Sequence, residues 1–242
     1  MAGSLVASGD SKSPSLIATT IRRTITIGWR YLAIGTGLAL VLSLILLFGG
    51  NGRGGTAFTT TFPLEIPLFA TLGSTGGLMT FTSDRTKGVF EYLIAYGVRP
   101  RALFANGLLS TVAMATIILA LALSVGLGAA VADGVVLNET LAKSLAFYTV
   151  PMSFAGGLFI TTVGMIWASV SSPRTGINSP VGIAPMLGIA PIILVLIVAE
   201  SAPKSEYYYI TGGAAAAIIV AVVLLLALSA RLMGRERFLS PL

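Results

Sequence analysis

Acid–base, nucleophilic or metal chemistry needs side chains that hold a proton, a lone pair or a cation, and this chain is poor in them. It has no Cys and no His, and its 15 Lys and Arg face only 9 Asp and Glu. Disulfides, thiol nucleophiles, imidazole metal sites and His-dependent triads or relays are excluded. No Gly-Lys dipeptide occurs, so the GxxxxGK[ST] loop that cradles nucleotide phosphates is missing. Gly50, Gly52 and Gly55 spell GxGxxG, but no strand precedes them and no βαβ unit surrounds them, so the match is read as chance. Asp84 and Asp133 fall at opposite ends of apolar segments, which rules out an aspartic dyad. Catalysis by this chain alone is not expected, and no metal site or cofactor is expected in it.

Two places remain where charge could act. The first is the interval from Asp84 to Arg101, lying between two strongly apolar segments. Read as helix, Val89, Phe90, Leu93 and Ile94 form an apolar face, with Asp84, Arg85, Lys87 and Glu91 around Gly88. An amphipathic helix at the aqueous surface could enter a groove of a soluble partner, and a solvated loop with one interfacial turn fits the same residues equally. The second is Glu65, an acid inside an apolar segment and so a functional candidate. It lies near the aqueous end, where an interfacial carboxylate competes with a substrate ligand.

The elements that position these residues are greasy. The 242 residues are 55% hydrophobic and 10% charged, whereas a soluble domain carries about 25% charged residues. A polytopic all-α membrane protein forming a single membrane domain is expected. Hydrocarbon about 30 Å thick needs about 20 apolar residues per helix, and six such spans are read at 31–48, 62–82, 108–132, 145–170, 181–199 and 210–232. Residues 1–14 read as a disordered tail. Over 15–30, Ile17, Ile21, Ile25 and Trp29 recur every four positions opposite Arg22, Arg23 and Arg30, which predicts an amphipathic interfacial helix. A basic flank or a strand fits the same stretch.

Within the spans, Pro63 and Pro67 are read in the first turns of the second, and Gly73 with Gly77 has the GxxxG spacing of close helix packing. The fifth span repeats GIAP, ending at Pro185 and Pro191, which predicts a kinked helix or one that lines a path. Tyr207, Tyr208 and Tyr209 read as an aromatic belt. Asn138, Glu139 and Thr140 form a glycosylation sequon that acts only if its loop is external. The net charge of +6 does not point to nucleic acid, because the cations sit at the ends of apolar runs. With six spans, the termini and the second and fourth loops carry 12 of the Lys and Arg and the other side carries 3, accounting for all 15. Both termini and the Asp84–Arg101 interval are therefore expected in the cytoplasm, with the chain in the cell membrane.

The interval also resembles a motif of the form Glu-Arg-x-x-Gly-Thr-Leu-Glu-x-Leu-Leu-x-x-Pro-Val, which follows the second span in membrane subunits of type-2 ABC exporters. Asp84 and Arg85 stand at its opening acid and base, Gly88 at its glycine, Glu91 at its second acid, Leu93 and Ile94 at its aliphatic pair, and Val98 at its valine. Asp84 replaces Glu, Val89 and Phe90 replace Thr and Leu, and Gly97 stands where the motif has proline. The resemblance implies a six-span permease subunit with an N-terminal elbow helix, paired with an identical or different membrane subunit. It also implies two copies of a separate ATPase chain that carries the ATP and Mg. Asp84, Arg85, Gly88, Phe90, Glu91 and Leu93 would form the coupling helix, with Arg85 and Glu91 in polar contact with the ATPase and Phe90 and Leu93 in apolar contact. Glu65, Gly73, Gly77, Pro185 and Pro191 would line the path. Two other classes stay open: a carrier or channel that works without an ATPase and depends on Glu65, and a non-transporting scaffold subunit.

Overall fold

A computed structural model describes residues 16–48, 54–170, 180–201 and 206–232. The expected N-terminal tail lies outside the described residues, as do Gly50 and Gly52. Among the described residues the chain is all helical. In order these are α1 (Leu16–Phe48), α2 (Gly54–Ser74), α3 (Gly76–Thr86), α4 (Val89–Ala95), α5 (Pro100–Ala132), α6 (Glu139–Ser144), a π-helical turn (Leu145–Thr149), α7 (Val150–Val170), α8 (Pro180–Ser201) and α9 (Tyr207–Leu232). Four stretches are long and apolar enough to cross a membrane: Thr19–Phe48, Pro100–Ala132, Glu139–Ser169 and Tyr209–Leu228. This is the architecture of a membrane protein.

The expected interfacial helix is not a separate element. Residues 16–48 form one unbroken helix of 33 residues, about 50 Å long at 1.5 Å per residue. The stripe expected to lie on the membrane surface turns away from the protein, with Ile25 and Trp29 exposed, while Thr24, Gly28, Gly35, Ala39 and Ser43 are buried. The physical reason is the solvent. Between helices in lipid, close backbone approach is gained by small residues, and large aliphatic side chains lose nothing by facing outward.

α2 and α3 act as one long helix with an irregularity at Thr75. The hydroxyls of Ser74 and Thr75 bond back to the carbonyls of Thr71 (2.8 Å) and Leu72 (2.6 Å), which satisfies backbone groups that the irregularity releases. Pro63 and Pro67 are not in the first turns, because α2 begins at Gly54 and both lie in its interior. Pro67 has no N–H for the carbonyl of Pro63. Thr149, at the end of the π-helical turn, supplies the missing donor, with its Oγ1 2.8 Å from that carbonyl. The Tyr148 hydroxyl reaches the next carbonyl, of Leu64, at 3.5 Å.

α1 packs on α2, α3 and α5, and α7 packs on α2, α5, α8 and α9. One apolar cluster joins Phe58, Phe62, Ile66, Ala70, Ile118 and Ala122. A second, at the end where α4 lies, joins Leu78, Phe81, Phe90, Ile94, Leu103, Phe104 and Met165. Between them runs a seam of small and hydroxylated residues. A Cβ on Gly73 would lie 3.3 Å from the Cα of Gly35 on α1, and one on Gly77 would lie 2.8 Å from the backbone nitrogen of Thr111 on α5. Ile118 of α5 lies closer still to the Gly73 position, so both glycines admit α5 and Gly73 admits α1 as well. Thr111 and Thr161 hydroxyls bond across the seam at 2.7 Å.

Candidate partner-docking end

The Asp84–Arg101 interval is not one helix. It comprises the last turn of α3, a corner at Lys87 and Gly88, the two turns of α4, a second corner at Gly97 and the start of α5. Gly88 takes φ +69, caps α3 by donating to the Arg85 carbonyl (3.1 Å), and offers its own carbonyl to Tyr92 N–H (3.3 Å) at the start of α4. Gly97 takes φ +88. Its N–H meets the Ile94 carbonyl at 3.0 Å and the Val98 N–H meets that of Leu93 at 3.0 Å, the paired bonds of a Schellman cap. Leu93 and Val98 pack on the same apolar cluster, the hydrophobic contact that accompanies this cap. Arg99 is then extended and Pro100 opens α5, where a missing N–H costs nothing.

α4 has two unlike faces. Phe90 is 3% exposed and Ile94 is as deeply buried. The Phe90 ring meets that of Phe81 edge-on with centroids 4.8 Å apart, and Phe81 meets Phe104 at 5.3 Å. Phe90, expected in apolar contact with an ATPase, is thus consumed by the chain's own core, and Leu93 packs beside it half-buried. The face left to solvent carries Tyr92 and Tyr96, 61% and 74% exposed. Their rings lie 4.5 Å apart, and the bond between their hydroxyls holds Tyr92 above the ordinary tyrosine range.

The carboxylates of this end turn inward. Asp84, 3% exposed, forms an ion pair with Arg23 of α1. Burial pushes the Asp84 carboxyl above its usual range, opposed by Arg23 and Lys87. Burial lowers the half-buried Arg85 from the usual arginine range, and the Glu91 carboxylate opposes this. Glu91 Oε2 is buried without a hydrogen-bond partner among the described residues. By contrast Arg22, Arg30, Lys87, Arg99 and Arg101 are exposed. Two further bonds clamp the start of α1 to α5: Thr20 Oγ1 to Asn106 Oδ1 and Thr24 Oγ1 to Ser110 Oγ, both 2.7 Å.

The residues expected to line a path do not converge in the same way. Glu65 is half-buried on α2. Gly73 and Gly77 are buried in helix contacts, closed off by Ile118 and Thr111 rather than facing an opening. Pro185 and Pro191 both lie inside α8, which continues through them from Pro180 to Ser201. A Cβ on Gly156 of α7 would meet both Thr71 of α2 and Ile192 of α8. Asn138 is exposed and caps α6, its Oδ1 accepting from Leu141 N–H at 2.8 Å. Sequence reasoning missed Arg23 as the countercharge of Asp84, for which no local signal exists across 61 residues. It also missed Tyr92 and Tyr96, whose i, i+4 spacing opposite Phe90 and Ile94 was available.

No protein-family model, no curated protein and no solved structure matches the chain.

Proposed function

We propose that this chain is the permease subunit of an ABC transporter of the type-2 exporter class, with six spans, both termini in the cytoplasm and ATP hydrolysis in a separate chain. The spans lie within α1, α2 with α3, α5, α6 with α7, α8, and α9. The observation that carries the reading is α4: a two-turn helix fixed by left-handed glycines at both corners and anchored by Phe90 to the ends of the long helices α3 and α5. A small helix held in that way moves as one body with the helices behind it. Force applied there passes to α3 and α5 through the Phe81, Phe90 and Phe104 rings, and to α1 through Asp84 and Arg23. Coupling requires the ATPase to bind two forms of the permease with different affinity, and a rigid corner is the element through which such a difference acts.

The test starts from the adjacent reading frames, one of which is expected to encode a Walker-motif ATPase, and reconstitutes the full chain with that product. A stable complex whose hydrolysis is altered by the permease is expected, with Gly88→Val uncoupling the two. The reading is lost if no such ATPase binds, or if hydrolysis ignores the permease. Because the chain has no native Cys, single cysteines at Lys87 and Lys143 can be labelled from each side of intact cells. External labelling at position 87 would reverse the topology.

A further inference from the structure

We infer that α4 meets its partner through Tyr92 and Tyr96 as aromatic anchors, with Lys87, Arg99 and Arg101 as a cationic rim, and that the receiving surface is an acid-lined cleft on the soluble ATPase. This rests on the permease reading above and names what the partner must offer. The inward face of α4 is already occupied by the chain's own core, and among the described residues the tyrosine face is the one left uncovered. Tyrosine and arginine are the residue types that dominate binding at interfaces. Charge decides the partner's sign: the two carboxylates described at this end, Asp84 and Glu91, are turned inward, while Arg22, Lys87, Arg99 and Arg101 are exposed.

An anionic membrane surface has the same sign, and distance separates the two. The span read in α5 begins at Leu108, eight residues after Pro100, so the α4 corner stands about 12 Å beyond it at 1.5 Å per residue. α1 runs in register with α5, Thr24 bonding to Ser110, so the Arg23–Asp84 pair sits level with the start of that span and α4, packed on Leu103 and Phe104, lies beyond it. The headgroup layer on each side is about 5–8 Å deep. The start of α5 therefore carries the corner at Gly97, with Tyr96 beside it, past the lipid headgroups into water, where a protein surface can reach it.

The experiment uses the full chain in nanodiscs of phosphatidylcholine, with or without added phosphatidylglycerol, and as probe the Walker-motif ATPase expected from an adjacent reading frame. A spin label at Tyr96→Cys is expected to collide with a water-soluble nickel chelate in both lipids, and to lose that access when the ATPase binds. A label that meets dissolved oxygen in place of the chelate lies in lipid, and this overturns the proposal. In binding measurements the Tyr92→Ala, Tyr96→Ala double variant should bind the ATPase at least about tenfold more weakly, and the Phe pair in the same positions should restore most of that loss. Lys87→Glu with Arg99→Glu should weaken binding and flatten its dependence on salt. If the unaltered chain binds the ATPase and these variants bind within about twofold of it, the docking surface is wrong and the permease reading stands. If the unaltered chain binds no ATPase, both fall.

Discussion

Phe90→Ala separates the two faces of α4 most sharply. At seven residues, α4 is too short to be helical by itself, so its order rests on what it packs against. Phe90 is nearly fully buried between Phe81 and the rest of its cluster, and it lies on the part of the chain we read as outside the bilayer, where apolar burial is driven by water. Truncating a buried Phe to Ala costs about 3–5 kcal/mol in such cores. At 1.4 kcal/mol per factor of ten, opening of α4 should become about two to three and a half orders of magnitude more frequent. The assay is hydrogen exchange read by mass spectrometry on the α4 peptide in detergent or nanodiscs, where the amides of Tyr92 and Tyr96 bond to the carbonyls of Gly88 and Tyr92. Tyr92→Ala is the control: its side chain is exposed, so the change should stay within about 0.5 kcal/mol, or about twofold. Protection of α4 in Phe90→Ala within about threefold of the unaltered chain would refute the packing account, in which Phe90 and Ile94 are the two buried anchors of this helix and losing either loosens it.

Three further outcomes follow from the same geometry. Arg23→Ala should destabilise the α1–α3 contact by about 1–3 kcal/mol, less than a fully buried pair because Arg23 is half exposed, whereas Asp84→Asn should cost less, since it removes the buried charge itself. The folded Asp84 carboxyl titrates above its ordinary value, so the folded chain holds that proton more tightly. Stability of this contact therefore falls as pH rises from the usual carboxylate range through the raised value, and Asp84→Asn should flatten that slope in thermal unfolding. Gly77→Ala drives a Cβ to within 2.8 Å of the α5 backbone and should cost about 1–3 kcal/mol; Gly37→Ala meets nothing within 4 Å and should stabilise by about 0.5–1 kcal/mol, both read as shifts in detergent melting temperature. Thr149→Val leaves the Pro63 carbonyl without its donor and should cost about 1–3 kcal/mol, with faster exchange confined to α2 and the π-helical turn.

The all-helical, membrane-embedded class was legible because composition alone excludes a soluble core. Helix ends were not. The apolar run of α5 begins at Leu108, yet the helix starts at Pro100, because hydropathy marks only residues that face lipid. The turns on either side of Leu108 are held by Thr20, Thr24, Asn106 and Ser110 bonding between helices, a pattern that reads as polar linker. The Ile21, Ile25 and Trp29 period was real, but periodicity does not say which stripe faces inward, and in lipid the smaller residues did. At the docking end the charged types were visible from spacing, while their burial was not: Asp84 and Phe90 are silenced by Arg23 and Phe81, contacts fixed only when distant helices meet.

Gly97 ends α4 by a geometry different from that of the motif it departs from. Where the resembled sequence has proline, this chain has a residue at φ +88 whose N–H is bonded to Ile94. Proline can adopt neither that φ nor that bond, so the two residues cannot end α4 by the same geometry. Proline would stop a helix by refusing to donate, whereas glycine stops it by curling back, and the Val98 to Leu93 bond then ties the exit to the apolar cluster. The helix-starting role of proline is kept three residues later, at Pro100. The chain thus divides between two residues the corner that would set the direction of α5 from α4. On the permease reading proposed above a rigid corner is what transmission of a push requires, and Gly97→Pro would remove the cap that holds this one.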